Sequence, residues 1–154
     1  MLTYVDTKVV LAEVPNEITL AINIANCPCK CKGCHSSYLS EDIGDPLLPE
    51  VLETLIDSNK GITCVAFMGG DAEPWEIAKL ALFVKVVFPD LKVAWYSGRE
   101  FLHSRIELNI HDFDYIKLGP YKEECGPLNS KTTNQRFYKV VDNSLVDITE
   151  TFWN

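Results

Sequence analysis

Basic residues are in short supply in this 154-residue chain: 14 Lys and Arg stand against 22 Asp and Glu, a formal charge of −8. Binding to nucleic acid or to an anionic membrane surface is therefore not expected, because phosphate-rich partners select basic surfaces. Long apolar runs are missing too. The longest, Ile77 to Phe88, is broken by Lys79 and Lys85; a membrane span needs about 20 apolar residues, so this run reads as a buried helix. Glycine and proline, eight of each, are too few for a collagen-like or disordered chain. The opening Met1-Leu2-Thr3-Tyr4-Val5-Asp6 has neither the basic start nor the apolar centre of an export signal. A cytoplasmic, reducing setting is the expectation, in which thiols remain thiols. A complete eightfold α/β barrel takes roughly 250 residues, so a single shorter domain over 1–154 is expected.

Cysteine is modest in number but crowded in place. There are six, and four of them, Cys27, Cys29, Cys31 and Cys34, fall in the segment Asn26-Cys27-Pro28-Cys29-Lys30-Cys31-Lys32-Gly33-Cys34-His35. In a reducing compartment such a cluster points to metal or redox chemistry instead of disulfides. Cys27, Cys31 and Cys34 have the spacing C-x3-C-x2-C, and thiolates are soft ligands suited to zinc or to an iron–sulfur cluster. Three thiolates on a four-iron cluster leave one iron open to a small molecule, and Gly33 permits close approach of the backbone. A zinc-binding adaptor using Cys27, Cys29, Cys31 and Cys34 is the non-enzymatic alternative, although structural zinc usually draws on two separated pairs of ligands. Lys30 and Lys32 make the loop too polar for these to be plain core thiols. Cys64, in an apolar strand, reads as core; Cys125 reads as a bystander in a loop; His103 and His111 read as solvated.

Around this loop, strands and helices alternate. Alternating apolar residues predict a strand over 18–25, after a β-branched stretch Thr7 to Val14 and a turn at Pro15-Asn16. Helical spacing and a leading Pro49 predict a helix to Ser58, with Gly61 beyond it. A buried strand Ile62–Met68 runs into Gly69-Gly70-Asp71, and a helix opened by Pro74 continues to about Phe88. A strand Leu91–Tyr96 ends in Ser97-Gly98, and a helix around 99–108 and a strand near 113–118 follow. Arg136–Val141 and Leu145–Thr149 around Asp142-Asn143 read as a hairpin. Such alternation predicts βα units and a mostly parallel sheet, in which sites form beyond the carboxyl ends of the strands. The loops at 26–35, 69–73 and 97–99 all fall there.

The C-x3-C-x2-C spacing ending in Gly-Cys-His, followed by Phe67-Met68-Gly69-Gly70-Asp71, resembles the radical S-adenosylmethionine (SAM) superfamily. Gly119-Pro120-Tyr121, Gly126-Pro127-Leu128-Asn129-Ser130 and Thr132-Thr133-Asn134-Gln135-Arg136 resemble, within it, the anaerobic ribonucleoside-triphosphate reductase activating proteins. The resemblance implies a shortened, open (βα)6-type partial barrel, with the hairpin at about 136–150 as part of it, and a broad mouth suited to a protein substrate. It implies a [4Fe–4S] cluster on Cys27, Cys31 and Cys34 that cleaves SAM reductively to a 5′-deoxyadenosyl radical, which then makes a glycyl radical on the reductase. Gly69, Gly70 and Asp71 would receive the methionine ammonium, Asp71 being preferred to Glu73 because it directly follows the glycine pair. Gly33, Cys34 and His35 would adjoin the cofactor, with His35 the nearest stacking partner for adenine, and Ser97 and Gly98 would face it. Partners would be the reductase large subunit and a one-electron donor such as flavodoxin. With only three cysteines beyond those ligands, the auxiliary clusters of larger activases are not expected. A small radical SAM enzyme acting on a small molecule is the enzymatic alternative.

Overall fold

The computed structural model describes residues 2–25, 44–102 and 110–153. Its centre is a block of four parallel strands: β2 (Thr19–Ile24), β4 (Cys64–Met68), β5 (Lys92–Tyr96) and β6 (Tyr115–Leu118). On one side β1 (Thr3–Val10) pairs antiparallel with β2, and the two-residue β3 (Asp45–Pro46) pairs with β1. On the other side β7 (Arg136–Val141) pairs antiparallel with β6, and β8 (Ser144–Asp147) with β7. The result is one eight-stranded sheet of order β3-β1-β2-β4-β5-β6-β7-β8.

This corrects the expected (βα)6-type partial barrel. The described residues hold a mixed sheet with two α-helices, α1 (Pro49–Asp57) and α2 (Pro74–Val87). The reason lies in the connections. A parallel crossover needs a dozen or more residues, usually a helix, and neither flank has one. Only 11–18 separate β1 from β2, with the turn at Asn16 in the left-handed region at φ 65°. Asp142 and Asn143, at φ 49° and 62°, form a two-residue link that folds β8 back on β7, the conformation that matches strand twist in a hairpin. The strand expected from Thr7 to Val14 begins four residues earlier, at Thr3.

The two faces of the sheet are filled differently because side chains alternate along each strand. Leu20, Ile22 and Ile24 of β2, Val65 and Phe67 of β4, and Val93 and Trp95 of β5 point into the main core. Against them α1 sets Leu52 and Ile56, and α2 sets Ile77, Leu80, Ala81 and Val84, a spacing of three and four residues. Full burial of such a side chain contributes about 1.5–3 kcal/mol. The opposite face carries Ala21, Ala66 and Ala94 side by side in register; Val14, Cys64 and Phe137 pack there in a second, smaller core. Ile18, expected on the buried face, is 43% exposed. α2 is less buried than its composition suggests, since Trp75, Leu82 and Val86 face outward. No helix among the described residues is long and apolar enough to cross a membrane.

Candidate functional site

The four parallel strands end along one edge, and the carboxyl end of each opens into a turn. β2 hands the chain on through Ala25, and the cysteine segment starts at Cys27, three residues after Ile24. Cys27, Cys31, Gly33, Cys34 and His35, all expected site residues, lie outside the described residues, as do Cys29 and His103. β4 ends in Gly69-Gly70-Asp71, β5 in Ser97-Gly98 and β6 in Gly119-Pro120. Because β7 runs antiparallel and Leu118 pairs with Arg136, Asn134 and Gln135 arrive at this same edge.

Two glycines in succession, at φ 116° and 91°, shape the first of these turns. A Cβ on Gly70 would sit 2.5 Å from Ile77 Cδ1, so both the backbone and the packing of α2 require glycine there. Asp71 is buried, and both of its carboxylate oxygens are engaged: Ser97 Oγ donates to one at 2.5 Å, and the Gly98 N–H to the other at 2.8 Å. The Arg99 N–H in turn donates to Ser97 Oγ at 3.1 Å. Asp71, Ser97 and Gly98, read in the sequence as separate contributors, therefore meet in one hydrogen-bonded group. Glu73 is half-buried, and its N–H donates to the Gly70 carbonyl at 3.1 Å. Beside this group lies a cleft of about 360 Å³ walled by Trp75, Trp95, Arg99 and Phe101.

Further along the edge is a polar knot that sequence reading touched only in part. Lys117 is buried; its ammonium donates to the Gly119 carbonyl at 3.0 Å and lies 5.7 Å from the centre of the Tyr96 ring. Gln135 Nε2 donates to the same carbonyl, and Asn134 Nδ2 to the Pro120 carbonyl. Asn134 Oδ1 is buried without a hydrogen-bond donor, an acceptor left in need of one. Lys117 was the residue missed. Its signal was a charge between Ile116 and Leu118 in an otherwise apolar strand. Five of the seven buried polar side chains among the described residues (Asp71, Ser97, Lys117, Thr133 and Gln135) belong to this end of the sheet.

The chain matches the model of the 4Fe–4S single cluster domain family over residues 18–140. It belongs to that family. No curated protein and no solved structure matches it. For a 4Fe–4S single cluster protein the donor set is narrow. Among the described residues no group of three His, Cys, Asp or Glu could hold a metal. Cys64 is fully enclosed between strands, and burial pushes its thiol up to about 12, so it does not supply a thiolate. Cys125 is a single half-buried thiol. His111 is 61% exposed. The segment 27–34, with the C-x3-C-x2-C thiols Cys27, Cys31 and Cys34, is the part of the chain whose chemistry fits a cluster.

Proposed function

We propose that this single-cluster protein is a radical SAM activase that generates a glycyl radical on an anaerobic ribonucleoside-triphosphate reductase. The observation that carries the reading is the shared edge: β2, which precedes the cysteine segment in the sequence, ends at the same edge of the parallel sheet as the Gly69-Gly70-Asp71 turn and its partner Ser97. Family membership supports the cluster half of the reading. The likeness of the Gly-Cys-His, Phe-Met-Gly-Gly-Asp and Asn-Gln-Arg segments to the activating proteins supports the other half.

Cys27, Cys31 and Cys34 would hold the cluster, leaving its fourth iron for the amino acid end of SAM. When bound and reduced, the cluster supplies the single electron that cleaves the sulfonium; an external donor such as flavodoxin would recharge it. The chain itself supplies position and exclusion of water. Gly69 and Gly70 would allow the backbone to approach the methionine moiety, and Asp71, held by Ser97 and Gly98, would fix the turn that receives it. Gly33 and His35 adjoin the cluster ligands, and Asn134 offers an unsatisfied acceptor on the far side of the edge.

A small-molecule substrate is the second reading, favoured by the cleft of about 360 Å³ beside Asp71 and Ser97. A zinc adaptor is disfavoured by membership in a 4Fe–4S family. Anaerobic reconstitution with iron and sulfide, reduction and addition of SAM should yield 5′-deoxyadenosine. Adding the reductase should then give a glycyl radical signal by electron paramagnetic resonance. Cleavage without that signal, but with turnover of a small molecule, would replace the activase by the second reading. Absence of cleavage from protein shown to carry a reduced cluster would remove both.

A further inference from the structure

Trp95 has a single polar atom, its indole N–H, and that group donates to the Gly69 carbonyl at 2.7 Å. The ring is buried in the main core and stacked on Phe113, centroids 5.8 Å apart at 25°. It cannot follow a moving loop. Ser97, the first residue beyond β5, donates its Oγ to Asp71. β5 and the residue that follows it thus hold the first and last residues of the Gly69-Gly70-Asp71 turn.

A Gly-Gly peptide needs such an anchor. Neither residue has a Cβ to restrict it, so the peptide plane between them rotates between alternatives at little cost. The Gly69 N–H is held by the Tyr96 carbonyl at 3.0 Å and the Gly70 carbonyl by the Glu73 N–H. The Gly69 carbonyl, at the centre of the freest peptide, is held by Trp95. Because a trans peptide sets its C=O and N–H on opposite sides, fixing that carbonyl toward β5 also turns the Gly70 N–H away from β5.

We propose that Trp95, with Ser97, is a positioning residue: its indole N–H locks the Gly69–Gly70 peptide plane, so that the turn stands ready for the amino acid end of SAM before the ligand arrives. This rests on the reading of the turn as a SAM-binding element. Preorganisation of this kind acts on affinity, because the cost of ordering the turn is met on folding and not on binding.

Trp95→Phe keeps an aromatic ring against Phe113 but removes the N–H together with part of the indole, so amide exchange around Phe113, which a general loosening of the core would also speed up, serves as its internal reference. In the anaerobically reconstituted protein this variant should match wild type in iron content, cluster absorbance and circular dichroism. Its Kd for SAM should rise about tenfold, the scale of one lost hydrogen bond, and its KM should follow while kcat at saturating SAM stays within about twofold. Ser97→Ala should shift Kd in the same direction, and Ser97→Thr should restore it. Separately from SAM, amide hydrogen exchange in residues 69–72 of Trp95→Phe should speed up about tenfold. Unchanged exchange would overturn the proposal, as would a Kd within about twofold of wild type, or a loss confined to kcat. If wild type binds no SAM while exchange still accelerates in the variant, the anchor stands and the SAM reading falls.

Discussion

The two ends of the parallel strands are built from similar elements for different purposes. At the carboxyl end, Asp71, Ser97, Lys117 and Gln135 are buried and tied to backbone groups of neighbouring turns. At the amino end the principal polar group is the Lys85–Asp114 ion pair, about a quarter exposed, which fastens α2 to the start of β6; Lys85 also donates to the Leu91 carbonyl and Asp114 accepts from the Val93 N–H. Glycines make the same contrast. Gly61 and Gly70 share φ 91°, yet a Cβ on Gly61 would meet nothing within 4 Å while one on Gly70 would strike Ile77. One end holds the chain together; the other end holds a shape.

If that division is right, substitutions at the two ends should separate stability from cofactor chemistry. The largest effect belongs to Cys31→Ala, which should abolish cluster assembly, read as iron per chain and visible absorbance, with the sheet retained by circular dichroism. An intact cluster in this variant would break the assignment of the carboxyl-end segment. Gly70→Ala comes next. The left-handed backbone costs about 1–2 kcal/mol and the clash with Ile77 adds about 1–3 kcal/mol, and SAM binding should be lost. Gly61→Ala incurs the first cost alone and should bind SAM as wild type does. Chemical denaturation and calorimetric titration of the pair test this, and equal binding losses would erase the distinction between the ends.

At the amino end, Lys85→Met should lower stability by about 1–2 kcal/mol, since it leaves a half-buried Asp114 without its cation. Cluster content and SAM affinity should not change. The smallest effect is on pH dependence. Burial raises the Cys64 thiol from its ordinary 9.0 to about 12, so on raising the pH the unfolded chain loses this proton first. Stability should be indifferent to Cys64 below about pH 9 and fall above it, by up to about 1.4 kcal/mol per pH unit toward 12. Burial also raises Tyr96 and Tyr115, which steepens the fall above about pH 10. Comparing Cys64→Ala with wild type between pH 9 and 10 isolates the thiol, and identical slopes would sink the assignment.

Much of this was readable from local pattern. Apolar alternation and apolar runs located the central strands to within two residues, because a strand buried on both faces is mostly apolar. Pro49 and Pro74 marked the helix starts, since proline suits a first turn and little else in a helix. Asp142-Asn143 announced its hairpin. Pairing direction on the flanks was not legible: β1 and β7 have the same composition whichever way they run, and their antiparallel pairing goes with a short path from β1 to β2 and a path from β6 to β7 that holds no crossover helix. The expectation of a partial barrel failed for that reason. The anchor from Trp95 to Gly69 was equally hidden, because a tryptophan among Val93, Ala94 and Tyr96 looks like core and its one polar atom finds a use only across the sheet.

By itself, the sequence determined the kind of chemistry. Thiolate spacing and glycine pairs are short-range properties, and they survive however the rest of the chain is arranged. The tertiary structure decided which residues act together. Asp71 and Ser97 are 26 positions apart, and Gly119 and Gln135 are 16. Their contacts exist because hydrogen-bonded strands bring distant turns to one edge, where burial favours polar groups that find partners.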